Sequence, residues 1–270
     1  MRHHEQVNWD AALLDLDGTL YRGHEVVPGA GAFVERLRRR GIRPVFLTNN
    51  STRTPRQVAE KLNGMGIEAH PDEVCTSAEA SAHRLARLLG PSAVGYIGLD
   101  GLREALVEFG HTAVALGTPE QAGAPPVSAV VIGLDPEVNY PRLAAACTEV
   151  ARLGAFILTN GDVRLPSGDR FMPGNGALGA FIETATGILP YVAGKPNPDF
   201  IDFALARYGL DRARVLLIGD NRRTDVLAGR RAGVYTVQVL SGVRYSEAES
   251  DPDGPEPDEV HPSVAELFLN

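Results

Sequence analysis

Residues 11–21 give the strongest indication of the fold, and they read Ala11-Ala12-Leu13-Leu14-Asp15-Leu16-Asp17-Gly18-Thr19-Leu20-Tyr21. The first four residues of this stretch are apolar and predict a buried strand, with Asp15 and Asp17 at the exit of that strand. In open α/β sheets, reactive groups collect at the carboxyl ends of the strands. Both aspartates would lie on the same side if the extended form continued through them. Two carboxylates that close repel each other unless a cation lies between them or one is protonated. The stretch therefore predicts metal or proton chemistry.

The composition is that of an ordinary globular protein. The chain has 270 residues, of which 44% are hydrophobic and 22% charged, which suffices for one large domain or two smaller ones. No apolar run reaches the ~18 residues of a membrane-spanning helix, and the first residues lack the apolar segment of a secretion signal. Cys75 and Cys147 are the only cysteines, too few for a disulfide framework. We therefore expect a cytoplasmic protein without a membrane partner.

The charge balance bears on the choice of partner. The net charge of −8, from 34 acidic and 26 basic residues, argues against non-specific binding of nucleic acid. The tightest basic cluster is Arg36, Arg38, Arg39 and Arg40. It falls at the end of a predicted helix, where positive charge complements the helix dipole, and we expect it to be a solvated helix end. An anionic substrate would need local positive charge at its site.

Strand and helix signals alternate along most of the chain, which predicts an α/β fold with a parallel sheet covered by helices. After residues 11–14, strands are predicted at 43–47, 94–97, 112–116, 128–132, 155–158, 214–218 and 234–239. Helices are predicted at 28–40, from 54 onward, and at 77–89, 101–109, 141–153, 198–208 and up to 232. The middle block predicts a second α/β unit. The acidic, proline-rich segment 245–262 is expected to be an exposed loop.

Polar residues follow three of the predicted strands, and a lysine precedes the last of them within the rigid sequence Gly-Lys-Pro-Asn-Pro. In chain order the candidate residues are Asp15 and Asp17, Thr48 and Asn49, Lys195, and Asp220 with Asp225. In a parallel sheet the carboxyl ends of the strands face one edge, where these side chains can converge. Each residue taken singly also has a simpler structural interpretation: Asp15 and Asp17 would lie in a surface turn, and Thr48 and Asp225 would each cap a helix.

The set as a whole indicates phosphoryl transfer, which needs a nucleophile in line, a metal, a cation and a proton source. Carboxylate and carbonyl ligands suit Mg²⁺, and no histidine or cysteine spacing matches a zinc site. Asp15 could form an aspartyl-phosphate, with Asp17 as acid for the leaving group and later as base for water. Asp220 would hold Mg²⁺.

Three further residues would support this chemistry. Thr48 can donate to a phosphate oxygen, and Lys195 can balance charge in the transition state. Asp225 would hold the metal through water or anchor its ligands.

These residues resemble the motifs of the haloacid dehalogenase (HAD) superfamily of phosphatases. The matches are Asp15-Leu16-Asp17-Gly18-Thr19-Leu20, Thr48-Asn49, Lys195 in Gly-Lys-Pro-Asn-Pro, and Gly219-Asp220-Asn221 through Asp225. The order of these motifs and their amino-acid sequences are most similar to those of the branch of p-nitrophenyl phosphatases and NagD-like enzymes (subfamily IIA). The resemblance covers nearly the whole chain. One departure is Arg222, which stands where relatives often carry an apolar residue and is either a charge at a helix start or an added anion contact.

The resemblance implies a Rossmann-like catalytic core at residues 1–77 and 190–270, with an inserted α/β cap domain at 78–189. It assigns the nucleophile to Asp15 and the acid/base to Asp17. It places Mg²⁺ on the Asp15 carboxylate, the Asp17 backbone carbonyl and Asp220. Because dehalogenases of the superfamily lack the second aspartate, Asp17 favours hydrolysis of phosphate esters. Asn49 is assigned a phosphate contact with Thr48 and Lys195.

The predicted function is Mg²⁺-dependent hydrolysis of a small phosphomonoester, of the sugar phosphate, glycerol phosphate, phosphoglycolate or nucleotide class. Two alternatives stay open at this point: a phosphotransferase with an acceptor other than water, and a non-catalytic protein that binds a phosphate ligand. The intact motifs count against the second. Similar caps often take part in dimers, so a homodimer is one expectation.

Overall fold

The computed structural model describes residues 8–167, 170–242 and 254–268. Its strands are β1 (Ala11–Leu14), β2 (Tyr21–Arg22), β3 (Glu25–Val26), β4 (Arg43–Thr48), β5 (Val74–Thr76), β6 (Ala93–Ile97), β7 (Thr112–Ala115), β8 (Ala129–Ile132), β9 (Ile157–Leu158), β10 (Arg164–Ser167), β11 (Arg170–Pro173), β12 (Tyr191–Val192), β13 (Val215–Gly219), β14 (Tyr235–Val239) and β15 (Glu259–His261). Its α-helices are α1 (Ala30–Arg39), α2 (Pro55–Gly64), α3 (Ser77–Leu89), α4 (Asp100–Glu108), α5 (Tyr140–Leu153), α6 (Asn175–Thr186), α7 (Pro198–Tyr208) and α8 (Leu227–Ala232). Short 3₁₀ turns span Pro71–Glu73, Pro119–Gly123, Arg212–Arg214 and Val264–Glu266, and a π-helical turn spans Arg222–Val226.

The chain divides into two compact units. Unit 1 comprises Met1–Thr48, Pro55–Cys75 and Lys195–Asn270, and unit 2 comprises Asn49–Thr54 and Thr76–Gly194. Unit 2 exceeds the predicted cap at 78–189 by residues 76–77, by residues 190–194 and by the separate segment Asn49–Thr54. None of the helices in the described ranges is long and apolar enough to cross a membrane.

Unit 1 is built on a six-stranded sheet with the order β15-β14-β13-β1-β4-β5. Strand β1 pairs in parallel with β13 on one side and with β4 on the other, so that Leu14 lies opposite Ile218 and Phe46. The carboxyl ends of these three strands are therefore neighbours at one edge. This sheet confirms the predicted parallel α/β core.

The apolar sequence of β1 explains its central place in the sheet. All four of its residues are fully buried, as expected of a strand covered on both faces. On one face, Ala12 and Leu14 join the core cluster that contains Phe33 and Leu37 of α1. Burial of a Leu or Phe side chain stabilises the fold by about 1.5–3 kcal/mol each, so this helix face holds α1 on the sheet.

The arginines at the end of α1 are less solvated than predicted. Arg38 donates to both carboxylate oxygens of Glu73, at 2.6 and 2.7 Å, and Glu73 is itself buried. Arg36 donates to the carbonyl of Ala265 at 2.9 Å. These two side chains thus tie the helix end to neighbouring segments of unit 1.

The prediction of an irregular loop at 245–262 is wrong in its last part. Strand β15 pairs in parallel with β14, with Glu259 opposite Val237. The side chain of Asp258 accepts from the N–H of Thr236 at 2.8 Å, and the hydroxyl of Tyr235 donates to Glu259 at 2.9 Å. Backbone pairing and polar side chains form this edge strand, so its sequence carries no apolar signal. Residues 245–253 lie outside the described residues.

Unit 2 contains a second parallel sheet of five strands, in the order β12-β9-β8-β6-β7. One apolar cluster contains buried residues of α3 and α4, and another contains residues of α5 and α6. Sequence analysis predicts four of the five strands but not α6, whose first turns contain Gly176 and Gly179. Glycine is among the poorest helix formers, so the local signal is weak there.

Candidate active site

The site lies at the carboxyl ends of β1, β4 and β13 in unit 1. The N–H of Asp15 donates to the carbonyl of Ile218 at 2.9 Å, so this residue continues the ladder of β1. The chain then turns at Gly18, whose φ of 92° favours glycine. As a result the two aspartates differ in environment: the Asp15 side chain is only 13% exposed, whereas Asp17 is exposed.

Lys195 binds two of the predicted carboxylates. Its Nζ lies 2.6 Å from Oδ1 of Asp15 and 2.6 Å from Oδ1 of Asp225, and its side chain is 2% exposed. It also donates to the carbonyl of Leu47 at 3.4 Å. A lysine this deeply buried must be paired, and short charge-assisted hydrogen bonds supply the pairing. The structure therefore brings Asp15, Lys195 and Asp225 together, as the sequence predicts.

Asp225 occupies the π-helical turn after β13. Its Oδ2 accepts from the N–H of Asn221 at 3.2 Å and lies 3.4 Å from the hydroxyl oxygen of Thr224. Gly219 leaves space for this carboxylate, because a Cβ at that position would overlap it. The capping side chain of the turn is Asn221, which accepts from the N–H of Arg223 at 2.8 Å. Asp225 thus anchors Lys195 rather than serving only as a cap.

Three carboxylates of the site could hold a metal ion. Asp15, Asp220 and Asp225 each offer a carboxylate oxygen, and these oxygens lie within 4.8 Å of one another. When all three are ionised, they and the ammonium of Lys195 carry a net charge of −2. An oxygen-only donor set with excess negative charge fits a hard divalent cation such as Mg²⁺. The residues present therefore suit the predicted metal.

The crowding of these groups shifts their proton affinities. Burial raises the pKa of Asp15 to about 7, against the opposing charge of Lys195 and with a further contribution from Asp225. Burial and the charges of Asp15 and Asp225 raise the pKa of Asp220 well above its usual value. Burial alone would lower the pKa of Lys195, but its two carboxylate partners raise it, so the ammonium stays charged. A bound cation would favour the ionised carboxylates.

Asp17 is set apart from this cluster. Although its side chain reaches solvent, the surrounding protein raises the pKa of its carboxyl, while the N–H of Gly23 and the charge of Lys61 act to lower it. Lys61 and Lys195 are the only lysines among the 26 basic residues. The positive charge of a lysine therefore acts to lower the pKa of each of the two predicted catalytic aspartates.

The second predicted motif is divided between the units. Thr48 is the last residue of β4 and is buried at the carboxyl edge of the unit 1 sheet. Asn49 belongs to unit 2. There its side-chain nitrogen lies 3.4 Å from Oδ2 of Asp162, and its carbonyl accepts from the hydroxyl of Ser77 at 2.7 Å. Proximity in sequence therefore does not imply a shared structural unit.

Two further residues support the site without being predicted from the sequence. The hydroxyl of Thr19 donates to Oδ2 of Asp15 at 3.2 Å. The side chain of Gln238 donates to the carbonyl of Asp220 at 3.1 Å. For Thr19 the quoted motif itself was a signal, since it lies four residues after Asp15. Gln238 had none, because it bonds a main-chain atom far away in sequence.

The role of Arg222 is resolved by its partners. Its Nε donates to Oε1 of Gln238 at 3.0 Å, and its Nη1 lies 3.1 Å from Oε1 of Glu256. Of the two interpretations drawn from the sequence, a charge at a helix start is the one that these contacts favour.

The fold and the site together define a class of protein: an α/β protein with acidic residues and a buried lysine at the carboxyl edge of a Rossmann-like sheet. Residues 12–112 match the family model described as haloacid dehalogenase-like hydrolase, and residues 192–267 match one described as HAD-hydrolase-like. Both segments contain residues of the site.

Individual relatives agree with these matches. An acid sugar phosphatase from Staphylococcus aureus is 41% identical over 239 residues, covering 88% of this chain and 89% of the relative. The structure of a point mutant of a thermostable p-nitrophenylphosphatase from Bacillus stearothermophilus has a TM-score of 0.82 at 38% identity, covering 98% of this chain and 100% of the other. The structure of a glycerol phosphate phosphatase from Mycobacterium tuberculosis in complex with magnesium has a TM-score of 0.85 at 32% identity, covering 95% of this chain and 75% of the other.

The chain belongs to the haloacid dehalogenase-like hydrolases, and within them to the NagD-like phosphatases. This confirms the family and the enzyme class predicted from the sequence, and it favours an enzyme over a non-catalytic binding protein.

Proposed function

We propose that this protein hydrolyses a small phosphomonoester with Mg²⁺ through a covalent aspartyl-phosphate on Asp15. The observation that carries the proposal is the buried cluster in which Lys195 lies 2.6 Å from both Asp15 and Asp225, with Asp220 near enough to share a cation. The names of the relatives, acid sugar phosphatase and glycerol phosphate phosphatase, support a sugar or polyol phosphate as the substrate class.

In the first step, an oxygen of the Asp15 carboxylate attacks phosphorus in line with the ester oxygen. The new bond joins Asp15 to the phosphoryl group, and the bond to the alcohol breaks. Asp17 donates its proton to the leaving oxygen, so that a neutral alcohol departs. The environment that raises the pKa of Asp17 favours the protonated form that this step requires.

In the second step, Asp17 takes a proton from water as the water oxygen attacks the same phosphorus. The bond between phosphorus and Asp15 breaks, inorganic phosphate leaves, and both carboxyl groups return to their starting states. Thr48 and Asn49 would donate to phosphate oxygens. Lys195, held by Asp225, would keep the Asp15 carboxylate oriented and balance charge.

Asp15, Asp220 and the backbone carbonyl of Asp17 would hold Mg²⁺. When bound, the ion would neutralise charge between the carboxylates and the phosphoryl oxygens, which lowers the cost of bringing two anions together. The chemistry of the donor set supports this choice, because all the side-chain ligands are carboxylate oxygens.

Unit 2 would serve as the cap that excludes water during the first step and supplies substrate contacts. Its own parallel sheet and apolar clusters give it a stable core from which loops can vary. The expectations of a cytoplasmic location, of a homodimer and of no nucleic-acid partner stay predictions.

A phosphate-release panel tests the proposed function. The protein would be assayed on sugar phosphates, glycerol phosphates, phosphoglycolate and nucleotides, with Mg²⁺ and with excess chelator. We expect Mg²⁺-dependent release, with the highest kcat/KM among the sugar and polyol phosphates. If the folded, Mg²⁺-loaded protein released phosphate from none of these compounds, the proposal would be contradicted. Ester cleavage without stoichiometric inorganic phosphate would instead indicate a phosphotransferase.

A further inference from the structure

Residues 238–242, which comprise the last two residues of β14 and the three that follow it, touch both loops that carry the proposed metal ligands. The side-chain nitrogen of Gln238 donates to the carbonyl of Asp220 at 3.1 Å. The hydroxyl of Ser241 donates to the carbonyl of Gly18 at 2.7 Å. Both side chains are buried. Residues 238–242 therefore join the loop after β1 to the loop after β13, by hydrogen bonds that no sequence motif would reveal.

Two glycines enclose the carboxylate of Asp220. A Cβ added at Gly18 would lie 2.5 Å from Cγ of Asp220, and one added at Gly242 would lie 2.7 Å from the same atom. Both distances are shorter than real Cβ contacts, which are essentially never under 3.0 Å. At Gly18 the positive φ also requires glycine. At Gly242 the close approach of Asp220 is by itself sufficient reason for the missing side chain.

The amide of Gln238 is itself held in one orientation. Arg222 donates through Nε to Oε1 of Gln238 at 3.0 Å, which leaves Nε2 to face the carbonyl of Asp220. Glu256 in turn binds Arg222, with 3.1 Å between Oε1 and Nη1. A chain of contacts thus runs from Glu256 through Arg222 and Gln238 to the backbone of Asp220.

We propose that residues 238–242 form a positioning segment that holds the Asp220 carboxylate beside Asp15, so that Mg²⁺ meets a preformed pair of ligands. The physical need for such a segment is clear, because two like charges repel and an unrestrained carboxylate would turn away from its neighbour before the cation arrives. Contacts of this kind around metal ligands typically contribute about 10- to 100-fold to metal affinity. The inference rests on the proposed Mg²⁺ site, and it adds Gln238, Ser241 and Gly242 as positioning residues that act through Asp220 and Gly18.

The test is a Mg²⁺ titration by isothermal calorimetry on the full chain, with Gly242→Ala as the main variant. The added methyl group overlaps the end of a side chain, so we expect it to displace the Asp220 carboxylate rather than unfold the protein. The matched control is Gly64→Ala, because Gly64 also lacks a positive φ and nothing lies within 4 Å of its added Cβ. We expect the Mg²⁺ Kd to rise about 10- to 100-fold in Gly242→Ala and to stay within about twofold of wild type in the control.

A second variant keeps the test decisive if Gly242→Ala does not fold, which its thermal unfolding curve would show. Gln238→Ala removes the donor to the Asp220 carbonyl without adding any atom, and we expect it to weaken Mg²⁺ binding about tenfold. The inference is wrong if wild type binds Mg²⁺ and the folded variants bind it equally well; the proposed function would then stand. A wild-type protein that neither binds Mg²⁺ nor releases phosphate would overturn both.

Discussion

The dipeptide Thr-Asn occurs at the carboxyl end of one parallel strand in each sheet, yet its surroundings differ. Thr48 is the last residue of β4 and is followed by Asn49, whereas Thr159-Asn160 directly follows β9. In unit 2 the buried Thr159 hydroxyl lies 3.0 Å from the hydroxyl of Ser51, and Asn175 donates to Thr159 at 3.0 Å. These partners of Thr159 are neutral, and one carboxylate lies next to them, because Asn160 donates to Asp162 at 2.6 Å. Thr48 instead ends a strand beside three carboxylates and one lysine, whose charges do not cancel.

This difference separates a structural network from a reactive one. Hydrogen bonds between neutral buried groups rigidify a fold. Buried charges in excess are costly and shift pKa values, as at Asp15 and Asp220, and such sites are where function concentrates. We therefore assign the proposed chemistry to the charged edge of unit 1, whereas the hydrogen bonds at the edge of unit 2 hold its own loops together.

The largest expected effect is on turnover. Asp15→Asn replaces the nucleophilic oxygen by an amide that cannot form an acyl phosphate, and we expect phosphate release to fall by at least about a thousandfold. Steady-state assays measure the loss, and thermal unfolding serves as the control for the fold. Residual turnover near the wild-type rate in a folded variant would show that the charged edge of unit 1 does not supply the nucleophile.

The next effect is on stability. Lys195→Met keeps the volume but leaves Asp15 and Asp225 buried without their cation, so we expect the free energy of unfolding in chelator to fall by about 3–5 kcal/mol. Urea unfolding measures this change. Adding Asp225→Asn in the same chain removes one of the stranded charges and should restore part of the loss. A double variant less stable than Lys195→Met would contradict the charge argument.

A third variant probes the neutral network. Asn175 is buried and donates to Thr159 at 3.0 Å and to the carbonyl of Ile132 at 3.1 Å. Asn175→Ala should lower the free energy of unfolding by about 1–3 kcal/mol, while the Mg²⁺ Kd stays at its wild-type value. Urea unfolding and metal titration report the two quantities. A large loss of Mg²⁺ affinity in Asn175→Ala would contradict the proposed difference between the carboxyl edges of the two sheets.

The last prediction concerns the pH dependence of stability. Because burial raises the pKa of Asp15 from 3.8 in its unfolded reference to about 7, the folded state favours the protonated form. The contribution of protonated Asp15 to the free energy of unfolding is complete below the unfolded-state pKa of 3.8, and it is lost as the pH rises through the folded-state pKa of about 7. Without metal, the Tm should therefore fall between about pH 4 and about pH 7. Asp15→Asn should show a shallower fall, and a Tm that rises over this range would contradict the assignment.

The sequence predicts those features that local chemistry controls. The apolar run of β1 and the aspartates at its end were recognisable because a buried strand leaves a continuous hydrophobic signal. Strand β15 was not recognisable, because a short polar edge strand forms through backbone pairing with its neighbour, here β14, and has no apolar pattern of its own. Gln238 and Gly242 could not be found either, since they contact Asp220 from a different strand. The assignment of Asn49 to unit 2 depends on contacts with Ser77 and Asp162 that form only in the folded chain.

The central claim is that Asp15 carries the phosphoryl group during turnover. The most direct measurement is acid quenching of the protein within a single turnover on a phosphorus-labelled sugar phosphate, followed by peptide mapping. The account predicts a hydroxylamine-sensitive label on the peptide that contains Asp15, and no label in Asp15→Asn. Full turnover with no covalent label, or with the label on another peptide, would contradict it.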